Sequence, residues 1–465
     1  MVATITWRVL VVLALYAAYL PLSGYSIGHF GFDAGEYWEL SLKFTQQGGF
    51  SLLDYNDPVR GYLGPLLILP ARLLCHYTGC SMLAGAQVLG AAWAALLFGV
   101  AIPALWAQVA GRGVSGPRWV VLVGLAFVFW RDYFNFTLTD MPALALLLLA
   151  LLGLVRPGWG WAGLAGLALA AAVNVRPIYL ASVPVCMWLL VRAPEGAPLG
   201  MGRRVGIRRL WPRSAAFVAA AALVLLPQFA INQTHFGEAT PLVLARLPHM
   251  QTNSLYLEKL NWGLQHQKYE TNAGTDYPAN VLFFWDEAGI QLLREAGQGK
   301  FLSYPQYAQV LLRHPGTAVA LLARRLFNGL DVQYPTPYVR VVYQSSWGLA
   351  WLNYTVWFGA ALVLLRPRFR GWPPARWLVL AALLLPCLAV LPMSMECRFL
   401  LPLHLLLCAG LSFGWSGDWS WQFFRRRRPL HQLLWAGGYA SFVGLCFAVS
   451  AAAQASLELG PRALF

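Results

Sequence analysis

The chain has 465 residues, of which 58% are hydrophobic and only 11% are charged. Its mean hydropathy of +0.54 excludes an ordinary soluble enzyme, since several apolar stretches reach the roughly 20 residues that cross a bilayer as a helix. The net charge of +15 does not indicate nucleic acid binding, because the basic residues cluster in short gaps between apolar runs. Composition therefore predicts a polytopic α-helical membrane protein, without the alternating pattern of an outer-membrane barrel.

The positions of the basic clusters predict which side of the membrane each loop occupies. Clusters at 112–118, 203–213, 366–376 and 425–428 are assigned to the cytoplasm. No clear small-residue cleavage site follows the first apolar run, so we expect an uncleaved anchor with its N-terminus inside. This arrangement predicts eleven transmembrane helices and a C-terminus outside. The expected spans are 7–28, 81–110, 119–136, 142–156, two helices meeting outside at 174–177, then 215–234, 346–365, 376–393, 399–416 and 432–453.

The spans divide the chain into three predicted parts. An N-terminal transmembrane module covers residues 1–236, holds helices one to seven and includes a first outer loop at 29–80. An extracytoplasmic segment, 237–343, is too long for a plain connection. A C-terminal transmembrane module, 344–465, holds helices eight to eleven. The predicted class is an all-α polytopic fold with surface helices in the first outer loop and a mixed or mostly helical outer segment.

The first outer loop contains two stretches that we expect to form helices on the membrane surface. Residues 36–47 are amphipathic, and residues 62–74 are half-buried but short for a span. Cys75 and Cys80 fall near the outer face, where they could pair in an oxidising compartment, and the sequence leaves their pairing open.

The long outer segment also shows helical patterns. Residues 280–295 and 304–313 are predicted helices, and residues 317–330 set an apolar face against Arg324 and Arg325. We expect the last of these helices to lie on the membrane before helix eight. The histidines of this segment show no metal-ligand pattern and are expected to be solvated or packed: His235, His249, His266 and His314.

Charged residues at the outer ends of the odd-numbered helices are the candidate site. They are Asp33, Asp140, Arg176, and Glu396 with Arg398. Charges at bilayer depth cost about 2.5–3.5 kcal/mol on insertion scales, so they are rarely idle. Because odd-numbered helices all end outside, we expect these residues to share one outer cavity. The alternative is that each one snorkels or forms an ion pair at the interface.

These residue types suit the transfer of a group from a phosphate to a hydroxyl. Asp33 suits a general base with Asp140 as its helper, since a carboxylate can take a hydroxyl proton within hydrogen-bond reach. Arg176 and Arg398 suit a phosphate, because the guanidinium fork binds its oxygens in two-point fashion. Glu396 either orients Arg398 or forms a plain interface pair with it.

The run around Asp33 and Tyr37 resembles the first-outer-loop motif of polyprenyl-phosphate-sugar glycosyltransferases of the GT-C superfamily. The resemblance is to the bacterial branch related to protein O-mannosyltransferases and aminoarabinose transferases. Ala34 stands where that branch often has a second acid, and Glu36 is a candidate substitute. Further motifs resemble the family's surface helix and outer turns, so that the match covers residues 1–236 and 376–416 in outline. They lie at 61–74, 139–142, 174–177 and 396–402.

The resemblance implies an inverting transfer on the outer face of a bacterial inner membrane. A polyprenyl-phosphate sugar would place its phosphate against Arg176 and Arg398, and Asp33 would deprotonate a hydroxyl on a glycan, lipid or protein acceptor. Tyr37 and Glu36 would contact substrate, and Asp140 would position the acceptor or a cation. Some members use a divalent metal, but Ala34 favours a metal-independent reaction. Two alternatives remain: a transporter or flippase of lipid-linked glycans, and a ligase or polymerase with a diphosphate-linked donor.

Overall fold

The computed structural model describes residues 2–46, 48–192, 207–247, 252, 254–297, 299–344, 346–365, 372–414 and 429–460. Most of the predicted cytoplasmic basic clusters lie outside the described residues. The residues concerned are 203–206, 366–371 and 425–428, and the same holds for His249.

Helix dominates the described part of the chain, at 74% of the described residues, and sheet is scarce there, as composition predicted. The α-helices in the described part are, in chain order, α1 (Val2–Tyr19), α2 (Phe32–Leu40), α3 (Leu63–Thr78), α4 (Met82–Ala94), α5 (Ile102–Ala110), α6 (Gly116–Trp130), α7 (Asp140–Val155), α8 (Trp159–Val175), α9 (Val183–Arg192), α10 (Ile207–Phe236), α11 (Leu255–Gln265), α12 (Glu287–Arg294), α13 (Tyr304–Arg313), α14 (Pro315–Leu330), α15 (Trp347–Leu364), α16 (Pro374–Val390), α17 (Leu401–Gly414) and α18 (Pro429–Gln454). A π-helical segment, Ala95–Ala101, joins α4 to α5.

Within the described ranges, six helical stretches are long and apolar enough to cross a membrane. They are Thr4–Leu22, Met82–Ala110, Leu210–Phe236, Trp347–Leu364, Cys397–Gly414 and Gln432–Gln454. The other predicted spans also contain helices, but these are shorter; α7, for example, has 16 residues. The chain is therefore a multi-pass helical membrane protein, and the count of eleven crossings stays a prediction.

The chain divides into two compact units built from interleaved ranges. Unit 1 consists of Met1–Val114, Arg131–Tyr256 and Trp372–Ala389. Unit 2 consists of Ser115–Trp130, Leu257–Gly371 and Val390–Phe465. The predicted domain boundaries after residues 236 and 343 stay predictions. The two units are defined by contacts between residues, and each unit combines several separate stretches of chain.

In unit 1 the first outer loop is anchored on two long helices. Tyr55 and Tyr62 of the loop are buried in one cluster with Ala171 of α8 and with Val224 and Ile231 of α10. The Tyr62 hydroxyl also donates to the Val224 carbonyl oxygen at 3.2 Å. Large buried aromatic side chains of this kind fix the loop at its base.

The surface helices of this loop begin and end at residues that suit their positions. α3 ends at Gly79, whose φ of +71° is the left-handed conformation that glycine adopts at helix ends. The Ser81 side chain then caps α4 by accepting from the Ala84 N–H at 3.1 Å. Cys75 and Cys80, whose pairing the sequence left open, form a disulfide with Cα atoms 4.5 Å apart.

Unit 2 contains a small sheet in the order β2-β1-β3, with β1 His266–Asn272, β2 Val281–Trp285 and β3 Tyr338–Val339. The predicted helix over 280–295 is therefore wrong in its first half. The Val-Leu-Phe-Phe-Trp run has strand-forming residues and buries Leu282 and Phe284 on one side. Helix begins only at α12, where Asp286 accepts from the Gly289 N–H at 3.3 Å.

Two other predictions for unit 2 have different outcomes. The helix predicted at 304–313 is confirmed as α13. α14 covers the stretch predicted at 317–330, but Arg325 is 1% exposed and binds backbone carbonyls of Gly263 and Pro392 instead of forming a solvated face. Arg324 pairs with Asp286 at 2.7 Å. These partners draw both guanidinium groups towards the protein.

Candidate functional site

Asp33 lies in the first turn of α2, directly after a residue with a left-handed backbone. Phe32 has a φ of 56°, which costs a non-glycine residue on the order of 1 kcal/mol. The turn is held in place, since the Thr137 hydroxyl donates to the Ala34 carbonyl oxygen at 2.7 Å. A strained but anchored backbone next to a carboxylate is typical of functional sites.

Arg60 contacts two acidic residues and a tyrosine of the first outer loop. Its Nη2 donates to carboxylate oxygens of Asp33 and Glu36, each at 2.9 Å, and its Nη1 donates to the Tyr37 hydroxyl at 3.1 Å. The guanidinium also lies 4.9 Å from the centre of the Tyr37 ring. The Asp33 side chain keeps 33% of its surface exposed, so a ligand can reach it.

The surroundings of Arg60 keep it charged. Burial disfavours the cation, but the neighbouring phenol and two carboxylates outweigh burial and raise the pKa of Arg60 well above its ordinary value. One guanidinium against the carboxylates of Asp33 and Glu36 leaves a local excess of one negative charge. The Arg60 guanidinium is therefore a cation that is held between the carboxylates of Asp33 and Glu36.

Gly61 lies where the first outer loop packs closely against the C-terminal end of α8. A Cβ at this position would lie 2.6 Å from Asn174 Oδ1 and would also clash with the Asn174 backbone. Asn174 Oδ1 accepts from the Leu63 N–H at 2.9 Å, and its Nδ2 donates to Gln228 at 2.8 Å. Only glycine fits here, and the contact fixes Arg60 beside the turn that carries Arg176.

Tyr37 connects the first-loop cluster to the second acidic turn. The Thr139 hydroxyl donates to the Tyr37 hydroxyl at 3.4 Å, and the next residue, Asp140, forms an ion pair with Arg176. The Asp140 side chain is only 3% exposed, whereas that of Arg176 is 20% exposed. We call this set the outer strip: Asp33, Glu36, Tyr37, Arg60, Thr139, Asp140 and Arg176.

A small cavity borders the outer strip within unit 1. The residues on either side of Asp140 and the residue before Arg176 line it. Most of the remaining lining consists of apolar side chains of α3 and α4, such as Ile68 and Leu89. An apolar space therefore adjoins a row of charges, which suits a ligand with an apolar part and an anionic part.

Unit 2 holds the remaining predicted pair. Arg398 Nε donates to Glu396 Oε2 at 2.7 Å, and both side chains are less than 10% exposed, at 8% and 6%. Strand β1 adds a second buried pair, in which Lys268 Nζ lies 2.8 Å from Glu270. The backbone of Lys268 also forms an isolated β-bridge with that of Met395. Buried ion pairs of this kind add little net stability, because both charges lose their hydration.

The seven predicted site residues fall into two groups. Five of them lie in the outer strip: Asp33, Glu36, Tyr37, Asp140 and Arg176. Glu396 and Arg398 form their pair within unit 2. It stays a prediction that all seven residues share one cavity. The chemical role of each residue also stays a prediction.

Sequence reasoning missed Arg60. The available signal was weak but real, because Arg60 is the single basic residue between Lys43 and Arg72 and it directly precedes Gly61. Its partners come from a helix more than 20 positions earlier, as the separation of 27 residues from Asp33 shows. A single sequence does not reveal that contact.

The environment of Ala34 bears on whether this site uses a metal ion. This residue is fully buried, and Glu36, rather than residue 34, shares Arg60 with Asp33. Among the described residues, no group of three or more His, Cys, Asp or Glu side chains could hold a metal ion. Metal independence stays a prediction.

Comparison with protein-family models, with curated proteins and with solved structures finds no match for this chain. The fold defines a multi-pass helical membrane protein with a row of paired charges in unit 1.

Proposed function

We propose that the chain is an inverting glycosyltransferase with a GT-C-like architecture of eleven spans. It moves a sugar from a polyprenyl-phosphate donor to a hydroxyl acceptor on the extracytoplasmic face of a bacterial inner membrane. The observation that carries the proposal is the outer strip, in which the exposed carboxylate of Asp33 is held by Arg60 next to the Asp140–Arg176 pair. This juxtaposition supplies a base and cations for a phosphate at one edge of an apolar cavity.

Asp33 acts as the general base. The acceptor oxygen attacks the anomeric carbon from the face opposite the phosphate and forms the new C–O bond, while its proton passes to the Asp33 carboxylate. The bond between the anomeric carbon and the phosphate oxygen breaks, and its electron pair leaves with the polyprenyl phosphate. The 33% exposure of Asp33 supports this role, because the base must come within hydrogen-bond reach of the hydroxyl.

The donor phosphate is held by guanidinium groups. Arg176 carries a guanidinium fork, which suits two-point contact with phosphate oxygens, and its side chain is 20% exposed. Arg60 contacts two carboxylates with one nitrogen. Fixed cations stabilise the charge that develops on the departing phosphate. The phosphate-binding role of Arg398 and the orienting role of Glu396 stay predictions for unit 2.

The apolar side chains beside Asp140 and before Arg176 suit contact with the first isoprene units of the donor. An isoprenoid chain that packs against them leaves its phosphate at the charged edge. The disulfide between Cys75 and Cys80 supports an outer-face assignment for this loop, since disulfides persist in oxidising compartments.

The test uses the full chain in proteoliposomes with radiolabelled sugars on polyprenyl monophosphate or polyprenyl diphosphate. We expect transfer from the monophosphate donor alone, with inversion at the anomeric carbon when the product is analysed by NMR. Transfer from the diphosphate donor alone would favour a ligase or polymerase. Movement of the intact lipid-linked sugar across the bilayer without transfer would favour a flippase.

A further inference from the structure

A cluster of aromatic rings and a lysine in unit 2 lies beyond the pairs already described. Lys259 Nζ lies 4.5 Å from the centre of the Trp262 ring and 5.4 Å from the centre of the Tyr269 ring. The Tyr269 ring in turn lies 6.2 Å from the ring of Phe399. All four side chains are half-buried, so each keeps surface for a ligand. We call these four residues the aromatic–lysine cluster.

The fold assembles this cluster from three separate elements. Lys259 and Trp262 are three residues apart on α11 and therefore share one helix face. The Tyr269 N–H donates to the Met395 carbonyl oxygen at 2.9 Å, which holds β1 alongside the turn that leads to Phe399. The cluster therefore continues directly into the Glu396–Arg398 pair, since the Arg398 guanidinium lies 5.9 Å from the centre of the Phe399 ring.

The chemistry of the cluster combines flat apolar surface with positive charge. Aromatic side chains offer large rigid faces, against which the C–H face of a sugar ring can pack. An ammonium held over two ring faces is a cation fixed in position at small entropic cost, and it attracts a negative group. A ligand that matches both features has a sugar ring and a negatively charged substituent.

We propose that the aromatic–lysine cluster binds an acidic saccharide, which is the acceptor of the transfer reaction. The proposal rests on the proposed function and adds the chemical class of the acceptor. Trp262 and Tyr269 pack against the sugar ring, and the Lys259 ammonium pairs with its carboxylate. The predicted extracytoplasmic segment, 237–343, for which the resemblance implies acceptor recognition, supplies three of the four side chains.

The test measures binding of two fluorescent tetrasaccharides to the full chain in lipid nanodiscs. One alternates glucuronic acid with N-acetylglucosamine, and the other contains N-acetylglucosamine only. We expect wild type to bind the acidic ligand about 10-fold or more tightly than the neutral one, since one ion pair of about 1.4 kcal/mol gives that ratio. Lys259→Gln removes the preference, and Trp262→Ala weakens binding of both ligands. The matched control is Lys300→Gln, which keeps the preference.

Equal binding of the two tetrasaccharides by wild type, or no binding of either, would overturn the proposal. A preference that survives in Lys259→Gln would do the same, because another cation would then recognise the acid. Asp33→Asn separates this proposal from the proposed function. It is expected to bind the acidic ligand normally while losing transfer, whereas normal transfer by this variant would count against the function and leave the binding result standing.

Discussion

The guanidinium of Arg60 lies 2.9 Å from the carboxylate of Asp33 and spans a sequence separation of 27 residues. The same nitrogen also contacts Glu36 at 2.9 Å, so that two carboxylates share one cation. In the proposed reaction, an arriving phosphate would compete with these carboxylates for the guanidinium, and Arg60 would both orient Asp33 and contact the phosphate.

The first prediction concerns Arg60. Arg60→Gln is expected to lower the rate of sugar transfer by about 100-fold, because a misplaced base loses its alignment with the acceptor hydroxyl. Arg60→Lys keeps the charge but loses the two-point fork, and we expect it to recover only part of the rate. Initial rates of transfer in membranes with matched protein levels give the comparison.

The control for Arg60 is Lys43→Gln, which removes another cation of the same loop. Lys43 contacts Asn56 at 2.5 Å rather than an acid of the outer strip, so its transfer rate should stay at the wild-type value. Equal rates for Arg60→Gln and Lys43→Gln would remove Arg60 from the account.

The second prediction concerns Gly61. Gly61→Ala forces a Cβ against the Asn174 backbone and is expected to destabilise the protein by about 1–3 kcal/mol. The midpoint of thermal unfolding in detergent measures the loss. Gly49→Ala is the control, because a Cβ at position 49 meets no atom within 4 Å. Equal midpoints of thermal unfolding for Gly61→Ala and Gly49→Ala would show that the contact between Gly61 and Asn174 is not tight.

The third prediction concerns the Asp140–Arg176 pair. The Asp140 side chain is 3% exposed, so Arg176→Gln leaves a buried carboxylate without its Arg176 partner and should cost about 3–5 kcal/mol. Asp140→Asn leaves the Arg176 cation, which is 20% exposed, and should cost less. We expect the double variant to lose less stability than the two single losses combined, by at least about 1 kcal/mol. Additive losses in unfolding experiments would mean that the two charges do not interact.

The sequence predicted the class of fold and singled out five residues that the structure brings together in the outer strip, but it did not reveal Arg60 among them. Apolar runs and basic clusters were sufficient for the helical membrane class, because lipid allows few other backbones. Asp33, Asp140 and Arg176 were found because charged residues at helix ends near a bilayer are rare. The partner of Asp33, Arg60, was missed, since an ion pair across 27 residues depends on tertiary packing.

The small sheet of unit 2 illustrates a second reason for error. The run Val281–Trp285 is apolar and short, so its periodicity alone fits a buried helix or a strand. Pairing with β1 decided the outcome, with Leu282 opposite Glu270 and Phe284 opposite Lys268 in antiparallel register. A partner strand of this kind is not visible in the local pattern.

The fourth prediction concerns His266 in β1. The imidazole is 8% exposed and its ring lies 4.4 Å from that of Phe283, and burial lowers the pKa of His266 from 6.5 to about 4. The unfolded chain binds the proton more readily, so stability falls as pH drops from about 6.5 towards 4. At pH 5 the loss is expected to be about 1–2 kcal/mol.

Thermal unfolding of wild type and His266→Phe at pH 7 and pH 5 isolates this contribution. The wild-type midpoint should fall more between the two pH values than that of the variant, which has no group to protonate at this position. Parallel shifts in the two proteins would assign the acid sensitivity to other residues.

The most direct measurement of the central claim is sugar transfer by Asp33→Asn. Membranes with equal amounts of wild type, Asp33→Asn and Glu39→Gln would receive a radiolabelled polyprenyl-phosphate sugar. Glu39 lies on the same helix, is 64% exposed and contacts Arg72 at 3.7 Å, so its variant is a matched loss of one carboxylate. We predict that Asp33→Asn loses at least about 100-fold in rate while Glu39→Gln keeps the wild-type rate. Transfer by Asp33→Asn at the wild-type rate would contradict the assignment of Asp33 as the base.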